Sequence, residues 1–195
     1  MRMPFPTEKK NQLAKQDKSK KGDIDEKILL LLETINAYPD YYTTSSCSGR
    51  VVLWRGSGKK NETEWIKITH NFVVHDFYKI SKDNENLEEK NKGVIWLRLE
   101  PMILHVACKD LQSAKALLDL AKPLFKKSCL LSIRNKIIIE IRGSEGIEMP
   151  LYRGGRLLFP EEELPWLTEL LNEKMKKIWE KKEEMRKILN KLEKN

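Results

Sequence analysis

The chain has 195 residues, 40% hydrophobic and 34% charged, which is enough apolar material for the core of one domain, or of one domain with an appendage. No apolar run approaches the roughly 20 residues that span a bilayer, and the Lys-rich start is not followed by the apolar stretch of a signal peptide, so the cytoplasm is the expected compartment. A formal net charge of +8 favours polyanionic partners, nucleic acid first, because each phosphate contact made by Lys or Arg releases condensed counterions.

A basic N-terminal segment, about residues 1–22, opens the chain, with Lys9, Lys10, Lys15, Lys18, Lys20 and Lys21 against Glu8 and Asp17; it reads as an arm or a short helix able to touch phosphates. Gly22 breaks it. Asp23 with Glu26 resembles an N-cap pair, and Ile28, Leu31, Leu32 and Ile35 recur at helical spacing up to about Asn36, before Pro39. Tyr41 to Ser46 and Arg50 to Arg55 read as extended, with a Ser-Cys-Gly bend between them. Gly56 to Lys60 is a turn, Trp65 to Thr69 a strand, His75 to about Leu87 a weak helix and Lys82 to Gly93 a surface loop.

Val94 to Leu99 alternates cleanly, with Val94, Trp96 and Arg98 on one side and Ile95, Leu97 and Leu99 on the other. Glu100-Pro101 interrupts it and Met102 to Cys108 resumes as a second strand. Asp110 can cap a helix striped by Leu111, Ala114, Leu117, Leu118 and Ala121, which Pro123 ends. Lys136 to Arg142 is a β-branched strand, and Ile147 to Tyr152 and Arg156 to Phe159 form a hairpin across Gly154-Gly155. A long charged helix, about 161–194, closes the chain on a seam of Leu164, Leu167, Leu171, Met175, Ile178, Met185, Leu189 and Leu192. The expected architecture is a single α+β domain over 1–195, with a mixed or mostly antiparallel sheet and packed helices; the order of elements lacks the βαβ alternation of a Rossmann fold.

Chemistry concentrates in Ser45-Ser46-Cys47-Ser48-Gly49-Arg50. Hydroxyls give and accept hydrogen bonds, glycine lets backbone approach a ligand, and arginine offers a planar fork for phosphate or carboxylate, so the stretch suits a polar ligand; its other reading is a tight turn between strands. Cys47, Cys108 and Cys129 are widely spaced and read as reduced thiols, and with His70, His75 and His105 they show no metal-ligand spacing, so no metal is expected. No dinucleotide-binding glycine pattern, P-loop or Gly-x-Ser-x-Gly elbow occurs.

Three blocks occur in a telling order: Asp17-Lys18-Ser19-Lys20-Lys21-Gly22, then Tyr42-Thr43-Thr44-Ser45-Ser46-Cys47-Ser48-Gly49-Arg50, then Leu97-Arg98-Leu99-Glu100-Pro101-Met102-Ile103-Leu104-His105-Val106. In this order the chain resembles the archaeal branch of the wybutosine-synthesising protein 3 family, from the first block to the C-terminal helix. Where that family commonly carries a Gly-Phe-Arg-Asn-Ser-Gly-like block, this chain reads Lys126-Lys127-Ser128-Cys129-Leu130-Leu131-Ser132.

The resemblance implies an S-adenosylmethionine-dependent methyltransferase of non-Rossmann fold, acting on ring nitrogen 4 of the tricyclic base made from guanosine 37 in the anticodon loop of phenylalanine tRNA. Methyl transfer asks mainly for near-attack geometry, with a carboxylate or histidine to take a proton, so Glu100 and His105 are the expected base or orienting partner. Ser45, Ser46, Ser48, Gly49 and Arg50 are expected to bind a polar end of the cofactor or a tRNA phosphate. Cys47 is not expected as a nucleophile, since no covalent intermediate is needed. Tyr41, Tyr42, Trp54 and Trp96 are possible stacking platforms for an unstacked base, or core residues. No obligatory protein partner is inferred. A basic RNA-binding module without chemistry is the alternative function, and a small-molecule enzyme drawing anionic substrates a third.

Overall fold

A computed structural model describes residues 3–18, 25–56, 62–80 and 93–192. In chain order the elements are α1 (Phe5–Lys18), α2 (Glu26–Ala37), β1 (Tyr41–Cys47), β2 (Arg50–Gly56), β3 (Thr63–Thr69), β4 (Val94–Glu100), β5 (Ile103–Cys108), α3 (Leu111–Ala121), β6 (Cys129–Ser132), β7 (Ile137–Arg142), β8 (Ile147–Arg153), β9 (Arg156–Leu157) and α4 (Leu164–Leu192). Every strand pairing is antiparallel, which sets the fold apart from a parallel Rossmann sheet. Two compact units emerge, one of 1–48, 101–144 and 178–195, the other of 49–100 and 145–177.

The first unit holds a four-stranded sheet in the order β1-β5-β7-β6. Ile28, Leu31, Leu32 and Ile35 of α2 are all buried, as their helical spacing requires, together with Leu104 and Val106 of β5, Ile139 and Ile141 of β7, and Ala114, Leu117 and Ala121 of α3. Leu111, expected in the α3 stripe, is 56% exposed instead, because it opens the helix beside the Asp110 cap. The α2 cap is Asp25, whose carboxylate accepts from Lys27 N at 3.1 Å, rather than the expected Asp23, which lies outside the described residues. The basic N-terminal segment is helical through Lys18, and residues 19–22 also lie outside the description. Strand β6 was not anticipated from the sequence.

The second unit holds a five-stranded sheet in the order β3-β2-β4-β8-β9. Val51, Leu53, Ile95, Leu97, Leu99 and Leu151 are buried, and so are Leu164, Leu167, Leu171 and Met175 of α4. Asn172 binds Val73 in both directions, its Oδ1 accepting from Val73 N at 2.7 Å and its Nδ2 donating to Val73 O at 3.0 Å. Gly154 and Gly155, both at positive φ (57° and 75°), turn β8 into β9. Of the helix expected over His75 to Leu87, the described residues hold only a short 3-10 turn, His75–Phe77; residues 81–92 lie outside them, as do residues 57–60 of the expected turn.

Helix α4 runs through both units, and its seam differs from the expectation at two places. Leu192 is 55% exposed, while Lys182, one turn after Ile178, is buried and donates through Nζ to the Lys27 carbonyl. Burial pushes the Lys182 ammonium below the ordinary lysine range.

Candidate functional site

Strands β1 and β2 flank the two-residue Ser48-Gly49 bend without pairing to each other, since β1 joins the first unit's sheet and β2 the second's; Ser46 and Cys47, expected in the bend or at its edge, end β1. Gly49, at φ 100°, supplies the left-handed backbone of the bend. The chain passes between units at residues 48–49 and again at 100–101, so each of the two motif blocks contributes to both.

In the first unit three adjacent strands place one residue each in a single row. Ser45 of β1 is registered opposite His105 of β5, which is registered opposite Glu140 of β7. Ser45 Oγ lies 2.7 Å from His105 Nδ1, and His105 Nε2 lies 3.0 Å from Glu140 Oε2. An irregularity between Thr43 and Ser45 is what brings Ser45 to this position, because a regular ladder would set Thr44 there. Thr44 Oγ1 donates instead to the His105 carbonyl at 3.3 Å. Ser45 and Ser46 are exposed, and the His105 and Glu140 side chains are 28% and 17% exposed.

Ser48 is fully buried, and both its hydroxyl and its backbone N–H (3.2 Å) donate to Asp25 Oδ2. Ser128 is also buried. Its hydroxyl donates to Phe125 O at 2.7 Å and accepts from Arg142 N at 3.2 Å, so it ties loop to strand.

In the second unit Arg50 and Glu100 are partners across β2 and β4, with Arg50 Nε 2.6 Å from Glu100 Oε2. Arg98 Nη1 reaches the other oxygen, Oε1, at 3.4 Å, and Arg98 Nε donates to Glu148 at 2.9 Å. The Arg50 guanidinium stands 4.9 Å from the Trp65 ring centre and that of Arg98 4.4 Å from Trp54, which stacks on Trp96 at 6.1 Å. Glu100 is thus held by two guanidiniums, a setting that suits the orienting role better than that of a base.

Of the expected stacking platforms, Tyr42 is fully buried against Phe5, Trp54 is 5% exposed beneath Arg98, and the Tyr41 hydroxyl donates to Ser113 O. Large rings on sheet faces are consumed by packing before they are free to stack a base. Trp65, absent from that expectation, is 42% exposed. Sequence reasoning also missed Asp25 and Glu140. Asp25 is legible as an acidic residue at a helix start; Glu140, an acid within Ile137-Ile138-Ile139-Glu140-Ile141, gives no local signal beyond that interruption.

Among the described residues no group of three or more His, Cys, Asp or Glu side chains is placed to hold a metal ion, and no helix is long and apolar enough to cross a membrane.

The family described as Methyltransferase TYW3 matches residues 7–191. A Pyrococcus abyssi protein, named tRNA(Phe) 7-((3-amino-3-carboxypropyl)-4-demethylwyosine(37)-N(4))-methyltransferase 2, is 35% identical over 161 residues, covering 81% of this chain and 76% of that protein. A Bos taurus protein named tRNA wybutosine-synthesizing protein 3 homolog is 32% identical over 170 residues, and the match spans 84% of this chain but only 64% of the bovine protein. The solved structure of the PH1069 protein from Pyrococcus horikoshii superposes with a TM-score of 0.83 at 33% identity, covering 95% of both chains. Motif blocks, antiparallel sheets and near-complete matches in sequence and backbone agree, and the chain belongs to the TYW3 methyltransferase family.

Proposed function

We propose that this protein is an S-adenosylmethionine-dependent tRNA methyltransferase of wybutosine biosynthesis, acting in the cytoplasm on ring nitrogen 4 of the tricyclic base derived from guanosine 37 of phenylalanine tRNA. The observation that carries the reading is the Ser45–His105 contact, which joins the two motif blocks and supplies an exposed hydroxyl backed by a ring nitrogen. The names of the archaeal relatives support the substrate.

When bound, S-adenosylmethionine supplies an electrophilic methyl group, whose transfer leaves a neutral thioether. Groups suited to such a ligand stand in each unit: in the first the exposed Ser46 hydroxyl can hydrogen-bond a polar end, and in the second Arg50 is a planar partner for a carboxylate. Gly49 is buried, so it serves the stretch through the left-handed turn it gives the backbone rather than by meeting a ligand. Glu100 holds the Arg50 fork in place through Nε. Ser48 serves the site indirectly, by fixing the segment to Asp25. His105 takes the proton that the ring nitrogen gives up, so that no charge accumulates on the methylated base.

The reading is tested by incubating the protein with methyl-labelled S-adenosylmethionine and tRNA carrying the demethylated tricyclic base. Label in the tRNA is expected. Absence of label, with binding of both ligands intact, would leave an RNA-binding module without chemistry.

A further inference from the structure

Histidine has two ring nitrogens, and in the neutral ring one donates while the other accepts. Which of them carries the hydrogen is decided by what each meets. In this protein both meet something definite: Nε2 meets the Glu140 carboxyl at 3.0 Å and Nδ1 meets the Ser45 hydroxyl at 2.7 Å. Since a carboxylate has no hydrogen to offer, Nε2 must donate to it, and Nδ1 is left as an acceptor pointing at a hydroxyl.

We infer that Glu140 is a positioning residue that fixes this tautomer, and that Ser45, His105 and Glu140 form a proton relay in which the Ser45 hydroxyl, not the imidazole, meets the substrate nitrogen. The inference rests on the methyltransferase reading above and adds a residue and a route to it. As the ring nitrogen gains its methyl group, its N–H bond breaks and the proton passes to Ser45 Oγ. The hydrogen already on that oxygen passes in turn to His105 Nδ1. Serine is left as it began, and the imidazolium faces the Glu140 carboxylate, which stabilises it through the hydrogen bond already in place. The sheet supplies the alignment. All three residues are registered partners on neighbouring strands, so their spacing is set by backbone ladders rather than by loops. Other titratable groups near the row are Cys129, registered opposite Glu140 on β6, and Arg142, two residues along β7.

Two readouts test the assignment on the full chain. Two-bond nitrogen-15 NMR spectra of the three histidines, with His105 identified by its loss in His105→Gln, report the tautomer without any substrate. The wild type is expected to show Nε2 protonated and Nδ1 bare, and Glu140→Gln to disturb that pattern, with Glu140→Asp restoring part of it. In turnover assays Glu140→Gln is expected to lower kcat by about a hundredfold, within the 10²–10⁴ range of general acid–base catalysis, with KM for both substrates unchanged. A wild-type ring protonated on Nδ1, or a folded Glu140→Gln variant with wild-type kcat, overturns the inference. If the wild type transfers no methyl group at all, the functional reading falls by itself, and the NMR tautomer still decides for or against the role of Glu140.

Discussion

Asp25 and Ser48 are joined twice, through the serine hydroxyl and through its backbone N–H, both donating to Oδ2, while the other oxygen of Asp25 caps helix α2 at Lys27 N. A single carboxylate therefore starts a helix and anchors the end of the Ser45–Ser48 segment. Asp25→Ala is expected to cost about 1 kcal/mol for the cap and about 1–3 kcal/mol for the buried Ser48 groups left unpaired. Urea unfolding measures this, and a variant as stable as the wild type would remove Asp25 from the account of how the segment is held.

Arg50 combines a short contact to Glu100 with a position over Trp65, and a lysine offers neither the fork nor the flat face. Arg50→Lys is expected to leave the fold intact and to weaken S-adenosylmethionine binding by about tenfold, or about 1.4 kcal/mol, and Ser46→Ala to weaken it less. Calorimetric titration gives both numbers. Unchanged affinity for cofactor and tRNA in both folded variants would take this stretch out of ligand binding.

Tyr41 and Cys108 are registered partners, and burial, aided by the negative charge of Asp40 and Asp110 around Tyr41 and of Asp110 around Cys108, pushes both up to about 12. Both are raised above their ordinary values of 10.0 and 9.0, so their contribution to stability is complete below pH 9.0 and is lost as pH climbs from there toward about 12. The urea midpoint is expected to fall through this window, and to fall less steeply in Cys108→Ala. At neutral pH an alkylating reagent should label the exposed Cys129 and spare the buried Cys108.

Lys10 and Lys15 lie exposed on α1. If that helix tracks an RNA backbone, tRNA affinity falls steeply with salt, and replacing both lysines with glutamine lowers the slope of log K against log salt by about 1.4, at about 0.7 per single-strand phosphate contact. Filter binding across a salt series checks it; equal slopes for wild type and variant would place the RNA elsewhere.

The strands with uninterrupted alternation were legible. Val94 to Leu99 alternates in burial as its residues alternate in polarity, and α2 buries the four residues its spacing selects. Other features escaped because they depend on partners far along the chain. Leu130 and Leu131 on β6 look like an apolar run but stay exposed, since β6 is a sheet edge of four residues, too short to show a period. Glu140 acquires meaning only from a register that sets it against His105, 35 residues away. Ser45 and His105, by contrast, were each marked by their blocks, but nothing in the sequence set one against the other; that pairing comes from the register of β1 on β5.

The partition of the chain carries a consequence for its synthesis. The first unit draws on the end of α4 to complete its core, with Ile178, Met185 and Leu189 among its buried residues, and the second draws on 145–177. Neither unit is contiguous, so a ribosome that has released Tyr38 and the strands after it has not yet released Leu189, whose carbonyl accepts the Tyr38 hydroxyl. Local hairpins such as β2-β3 can pair during translation, whereas the Ser45–His105–Glu140 row waits for β7 and final consolidation waits for α4. A chain stalled before its last helix is therefore expected to expose apolar sheet surface, and to depend on chaperones until the last turns of α4 emerge.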